Sequence, residues 1–302
     1  MLFFTGQIMN ETVRVGDRTW YLEGFAATGF YLRNENEVYI VDAGNTEESG
    51  GKIERILDDR GWTPAGILLT HAHTDHYGGC AYLQERYGCP VFAKGCEAYI
   101  AEKSFLEPAI FYGGYPYPEL TRRGIYYSDG CRCLDVTSEL FPSEVEVIDL
   151  AGHSMESVGY LMPDGTAFIG DAVFDEQTAE KYPLQSIYSI DDELESFETL
   201  KRINARKFVT GHGGVIDDIC RVCDTDRKTV LEVGQLILDI IEKPMTTEEI
   251  TAELIRFYNI GCSFRTHALI LSIARTYISW HREKGRIDAV FEDGFLRWRR
   301  IR

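Results

Sequence analysis

The sequence predicts an α/β fold, with a catalytic body over residues 1–228 and a small, mostly helical, winged-helix-like unit over residues 229–302. Three observations lead there. Short runs with the two-residue alternation of β-strands open the chain, strand and helix patterns then alternate as far as residue 210, and three helical patterns with a hairpin close it. A chain of 302 residues, 44% apolar and 12% aromatic, can bury a large core.

The opening reads as a meander, with strands at 12–15, 19–23, 29–32 and 38–41, the last ending in Asp42-Ala43-Gly44. Helical spacing of Ile53, Ile56 and Leu57 marks a helix over about 46–60, and the apolar run 65–70 suits a buried strand that stops at His71. A helix over 77–87, a strand at 91–93 and a helix over 95–103 follow. Between 104 and 141 the periodicity dissolves into a Gly-, Pro- and Tyr-rich stretch. Its aromatics, among them Phe105, Phe111, Tyr112, Tyr115 and Tyr117, are wrong for disorder, so an irregular, functional segment is expected. Strands resume at 145–150, 157–162, 167–170 and 207–210, with a helix over 191–204 before the last. Helices over 229–241, 247–258 and 264–283 precede strands at 286–290 and 295–299 that flank Glu292-Asp293-Gly294, a hairpin signal.

The net charge of −17 argues against a nucleic-acid-binding protein, which needs a basic face. Residues 229–302 carry 11 Lys and Arg against 10 Asp and Glu, so the acidic excess belongs to the first 228. No apolar run reaches the length of a membrane span, and residues 1–6 lack the basic flank of a secretory signal, so a cytoplasmic protein with no membrane partner is expected. Eight cysteines in a chain of this size are expected to be reduced. Cys131-Arg-Cys133 and Cys220-Arg-Val-Cys223 admit a four-thiolate zinc site, but the first spacing is tight, and small packing residues are the favoured reading.

The decisive stretch is Thr70-His71-Ala-His73-Thr-Asp75-His76. In extended backbone His71 and His73 point to the same side, while Asp75 and His76 open the next helix. Asp42, His153, Asp171 and His212 each stand just beyond a predicted strand, where ends that share one sheet edge can converge. Imidazole and carboxylate suit zinc and its first-row neighbours. Five of the seven histidines are thereby accounted for; His267 and His281 read as surface or packing residues.

With Asp42 in Ile-Val-Asp-Ala-Gly, the His71–His76 motif, Ala-Gly-His153-Ser, Ile-Gly-Asp171-Ala and Thr-Gly-His212-Gly, the chain resembles the metallo-β-lactamase superfamily over about residues 12–216. The resemblance implies an αββα sandwich, two mixed sheets face to face with helices outside and metals at one rim. It implies that His71, His73 and His153 hold a first divalent metal, that Asp75, His76 and His212 hold a second, and that Asp171 bridges them, with Asp42 supporting a ligand. Asp75 and Asp171 are then the catalytic carboxylates. The aspartate at 171 resembles the dinuclear glyoxalase II type more than lactamases with cysteine there, and His73 disfavours the flavodiiron type.

Two cations close together acidify water and neutralise developing charge, so hydrolysis of a small ester, thioester or lactone is the expected chemistry, with zinc the expected metal and iron or manganese the alternatives. No Gly-x-Ser-x-Gly elbow suggests a serine nucleophile. Two rivals remain: RNA or phosphodiester cleavage assisted by Arg297, Arg299, Arg300 and Arg302, and persulfide oxidation at one iron, as in persulfide dioxygenases of the same superfamily. A packing or homodimer role for the C-terminal unit is preferred to nucleic-acid binding.

Overall fold

The computed structural model describes residues 12–24, 26–175, 178–179, 182 and 184–301. A seven-stranded sheet runs in the order β1 (Thr12–Arg14), β2 (Thr19–Leu22), β3 (Thr28–Leu32), β4 (Glu37–Val41), β5 (Thr63–Leu68), β6 (Val91–Ala93) and β7 (Cys133–Asp135). The first four form the expected antiparallel meander, and β4 through β7 pair in parallel. A five-stranded sheet holds β8 (Glu146–Asp149), β9 (Val158–Leu161), β10 (Thr166–Phe168), β11 (Lys207–Thr210) and β12 (Gly214–Ile216), in the order β12-β11-β10-β9-β8.

Strand alternation sorts the side chains into layers. Tyr39 and Val41 of β4 face inward with Leu68, and meet Tyr160, Phe168 and Val209 of the second sheet in one apolar cluster. Val38 and Ile40 face outward onto helices α1 (Glu47–Arg60) and α3 (Cys80–Tyr87), joining Ile53, Leu57 and Leu83. The outer face of the second sheet, Ile148, Ala167 and Phe208, packs on α6 (Ile190–Arg202), α7 (Ile219–Ile240), α8 (Thr247–Phe257) and α9 (Phe264–Glu283). The result is four layers, helix on sheet on sheet on helix. The inner faces approach closely: a Cβ on Gly29 would collide with the Phe168 ring opposite. Each Leu, Ile or Phe fully buried in these layers contributes about 1.5–3 kcal/mol.

Local chemistry explains the helix ends. Acidic Glu47 and Glu48 open α1 and Arg60 closes it, complementing the helix dipole, and Gly61 ends it at φ 65°. In α8, Thr246 and Glu249 form a reciprocal capping box. Asp293 and Gly294, both at positive φ, turn the hairpin of β13 (Ile287–Glu292) and β14 (Phe295–Arg300), which Met245 and Trp298 pin through backbone hydrogen bonds in both directions.

Four expectations are corrected. The segment 104–141 is not irregular throughout: it contains α5 (Leu106–Tyr112) and β7. Pro108 sits in the first turn of α5, where its missing N–H costs nothing, so it does not break the helix. The helix expected over 77–87 is two pieces, α2 (Thr74–Tyr77) and α3. At the join, a Cβ on Gly78 or Gly79 would meet the 43–46 backbone, so only glycine allows that approach. The helix expected from 229 begins at Ile219, with Asp218 as its cap, and runs unbroken through the division drawn after residue 228. A short strand, β12, lies where none was expected.

Candidate metal centre

Topology brings the candidate residues together. Strands β8, β10 and β11 run the same way, since β9 is antiparallel to both its neighbours and β10 and β11 are parallel. Their C-terminal ends therefore share one edge and lead into His153, Asp171 and His212. The C-terminal ends of parallel β4 and β5 lead into Asp42 and His71. The hydrogen bond from Val158 N to Thr70 O ties the two edges.

All seven expected residues converge. His71, His73 and His153 form one group: His73 Nδ1 lies 3.0 Å from His71 Nε2 and 2.9 Å from His153 Nε2. Asp75, His76 and His212 form a second, with His212 Nε2 3.1 Å and His76 Nε2 3.9 Å from Asp75 Oδ2. Asp171 lies between them. Its Oδ2 is 3.6 Å from His153 Nε2 and 3.3 Å from His212 Nε2, and its Oδ1 is 3.4 Å from His76 Nε2. Asp42 stands behind His76, accepting from its Nδ1 at 2.8 Å, and also accepts from Thr70 N and Thr70 Oγ1.

The donor set fits divalent cations. His76 Nε2 and Asp171 Oδ1 are buried, face one another and have no hydrogen-bond partner. Donors held about 2.1 Å from a tetrahedral ion stand about 3.4 Å apart, close to the spacings above. Burial, joined by the neighbouring histidines, holds His71 well below its ordinary pKa and His153 at about 4, the neutral imidazole that binds metal. At His212 burial works downward too, but Asp171 and Asp75 outweigh it and raise the group to about 10; at His76 Asp171, Asp42 and Asp75 do the same. The second group thus lies in a strongly negative field that calls for positive charge.

Three buried acids around the centre were not anticipated. Glu97 accepts from Ala72 N, Ser154 Oγ and Glu156 N, and so clamps the His71–His73 loop to the His153 loop. Glu107 accepts from Thr74 N and Oγ1, between His73 and Asp75. Glu193 packs against Gly152, and burial, helped by Asp226, pushes it well above the carboxylate range. One signal was available: Glu97 shares the buried face of α4 (Gly95–Glu102) with Ile100 and Ala101.

Burial pushes Glu107 up to about 8. The folded state therefore holds a proton that the unfolded chain releases above about 4.5, and this contribution to stability declines as pH rises from about 4.5 to 8. Glu107→Gln should flatten that decline by an amount on the order of a few kcal/mol, read from urea unfolding at pH 5 and pH 8. Equal pH slopes in the two proteins would refute the buried-acid reading.

The cysteine pairs lie in different layers. Cys133 opens β7 and Cys131, its sulfur 3.6 Å away, packs in the core outside the first sheet, whereas Cys223 is buried under the second, so they form no four-thiolate site. His281 packs in the interior and its Nε2 donates to Gly234 O; His267 is exposed. No helix among the described residues is long and apolar enough to cross a membrane.

Residues 23–212 match the family model of the metallo-beta-lactamase superfamily. The chain belongs to that superfamily. Within it, the chain is 30% identical over 151 residues to a Bacillus subtilis protein named "Probable metallo-hydrolase", covering 49% of this chain and 66% of that protein. It is also 30% identical over 148 residues to a hydroxyacylglutathione hydrolase of Cereibacter sphaeroides, covering 46% of this chain and 49% of that one. The matches thus span half to just under two thirds of these relatives. Among solved structures, a metallo-beta-lactamase family protein of Thermus thermophilus superposes with a TM-score of 0.69 at 20% identity, over 94% of this chain and 99% of that one. A beta-lactamase domain protein of Burkholderia ambifaria gives 0.70 at 18% identity, over 99% and 96%. Coverage this complete extends the shared fold through the C-terminal helices.

Proposed function

We propose that this chain is a metal-dependent hydrolase of small ester, thioester or lactone substrates, built to hold two divalent ions, with zinc the first choice. The observation that carries the reading is the convergence of seven residues from four separate segments into two adjoining groups with Asp171 between them. The hydroxyacylglutathione hydrolase relative supports thioester-type chemistry. When bound, the ions would supply an acidified water and neutralise charge on the attacked carbonyl.

The chain's own residues do the rest. Asp171 presents one oxygen toward His76 and the other toward His153 and His212, so one carboxylate can serve both positions. Asp42 fixes the ring of His76, and Glu97 fixes the loops that carry the first group. Phe111 of α5 places its ring 5.8 Å from that of His73 and walls the site on that side. A cation must displace protons from His76 and His212, so metal uptake should release protons and weaken as pH falls.

Nucleic-acid cleavage is the weaker reading. Arg297 pairs with Glu249 at 2.8 Å, Arg300 with Asp239 at 3.1 Å, and Arg299 reaches Asp288 at 4.0 Å, so these guanidiniums already face acids. Arg302 lies outside the described residues.

The test is metal analysis of protein purified without chelators, then assays on ester, thioester, lactone, phosphodiester and persulfide substrates. Two divalent ions per chain and chelator-sensitive carbonyl hydrolysis are expected. A single iron with persulfide oxidation and no hydrolysis would replace this reading with the dioxygenase.

A further inference from the structure

A narrow cavity of about 60 Å³ opens beside His73 and His153. Its walls come from parts of the chain far apart in sequence: Ile100 of α4, Ile110 and Phe111 of α5, Met155 and Ile187 from two loops, and Ser272 and Thr276 of α9. Its mouth is apolar too, with Ile110 41% and Tyr188 52% exposed.

The lining offers an anion no partner. Among the described residues no lysine or arginine lines the cavity, and its two carboxyl groups, Glu97 and Glu107, are buried. Arg275, on the same helix as Ser272 and Thr276, points its guanidinium at Gly113 instead. Both acids already accept hydrogen bonds from the metal-centre loops, so neither is free to swing away. A carboxylate or phosphate on the substrate reaching past the metal centre into this cavity would lose its hydration with no described lysine or arginine in the lining to replace it. An aliphatic group would gain from burial against the walls, and Ser272 and Thr276 can meet a single hydroxyl or carbonyl.

Resting on the hydrolase reading above, we infer that the group flanking the scissile bond on the side of the first histidine cluster is uncharged and apolar, and that the site rejects substrates bearing an anionic group there. Ile110 and Tyr188 at the mouth set this preference.

Two measurements test the inference separately from the hydrolase reading. The first is calorimetric binding of non-hydrolysable amide analogues to metal-loaded protein, comparing butyryl with succinyl amides on the acyl side and butylamides with 4-aminobutyrate amides on the leaving side. In at least one series the neutral analogue should bind at least about tenfold more tightly, since the members of each pair differ only in a terminal methyl against a carboxylate that must shed its hydration. Equal or tighter binding of the anion in both series, or no binding of any analogue, overturns the inference whatever the enzyme hydrolyses. Tighter binding of the neutral analogue without turnover of any carbonyl substrate would uphold the pocket and sink the hydrolase reading. The second is a charge swap. Ile110→Lys, with Tyr188→Lys as an independent variant and thermal unfolding to verify folding, should raise the ratio of anionic to neutral binding about tenfold or more. An unchanged ratio in both folded variants would overturn the assignment of the mouth.

Discussion

Asp171→Ala should lose metal and activity together, and by more than any other single replacement in the centre. Its carboxylate is buried, lies between the two groups and approaches three histidines at 3.3–3.6 Å. Burial alone would raise its pKa, but His212 and His76 outweigh this and hold it well below the carboxylate range, so the protein is built around its charge. Removing it deprives both positions of a donor and leaves two cations to repel one another unscreened. The loss of affinity should exceed the roughly 10–100-fold that follows removal of a merely supporting residue. Asp75→Ala should be milder: Asp75 reaches only His76 and His212, so the group of His71, His73 and His153 keeps its three donors. Metal content per chain and turnover on the same samples decide the matter. If Asp171→Ala retained two ions and near-normal turnover, the shared-carboxylate arrangement would be wrong.

The centre was legible in sequence because each of its residues is tied to a short-range signal. His71 through His76 are one loop, and Asp42, His153, Asp171 and His212 each follow an apolar run whose alternation already marks a strand. That those strand ends meet on one edge is a property of topology; here the equal direction of β8, β10 and β11 supplies it. The buried acids were less legible. A carboxylate on an apolar helix face reads as an interruption, and only the three-dimensional structure supplies the donors that Glu97 satisfies. Asp226 misleads in the same way. Ile219, Val222, Cys223, Val230, Val233 and Ile237 form one continuous helical stripe, but Asp226 falls inside it and reads as a break. In the fold it is buried because Phe174 N and Gln185 donate to it, so α7 continues through the interruption in the pattern.

The segment 104–141 failed for a different reason. Its helix is only seven residues long and starts on Leu-Glu-Pro, too little for periodicity to register, and its stability comes from elsewhere. Phe111 packs on Tyr126 with ring centroids 4.7 Å apart, and both join Leu120 and Ala268 of α9 in a small cluster of their own. Tertiary packing between two distant segments made the element, and that same packing closes the cavity beside the first histidine group.

Asp42→Ala should be the most destabilising change that leaves every metal-facing donor in place. Asp42 is 2% exposed and accepts three hydrogen bonds, from Thr70 N, Thr70 Oγ1 and His76 Nδ1, each 2.8 Å long. Truncation strands three buried donors at about 1–3 kcal/mol each, and since these costs are not additive a total loss of about 3–5 kcal/mol is expected. The backbone adds to it, because residue 42 sits at φ 57°, a conformation that aspartate and asparagine tolerate better than alanine. Asp42→Asn separates the two effects. It keeps the shape and the backbone tolerance, but one oxygen becomes an N–H₂ that must face a donor, so roughly half the stability loss should remain. It also removes the charge behind His76, and metal affinity at the second group should fall about 10–100-fold while the first group is largely spared. Urea unfolding of the metal-free proteins gives the first quantity and zinc titration with a competing chelator the second. An Asn variant that bound two ions with unchanged affinity would show that the ring of His76 is held by something other than Asp42.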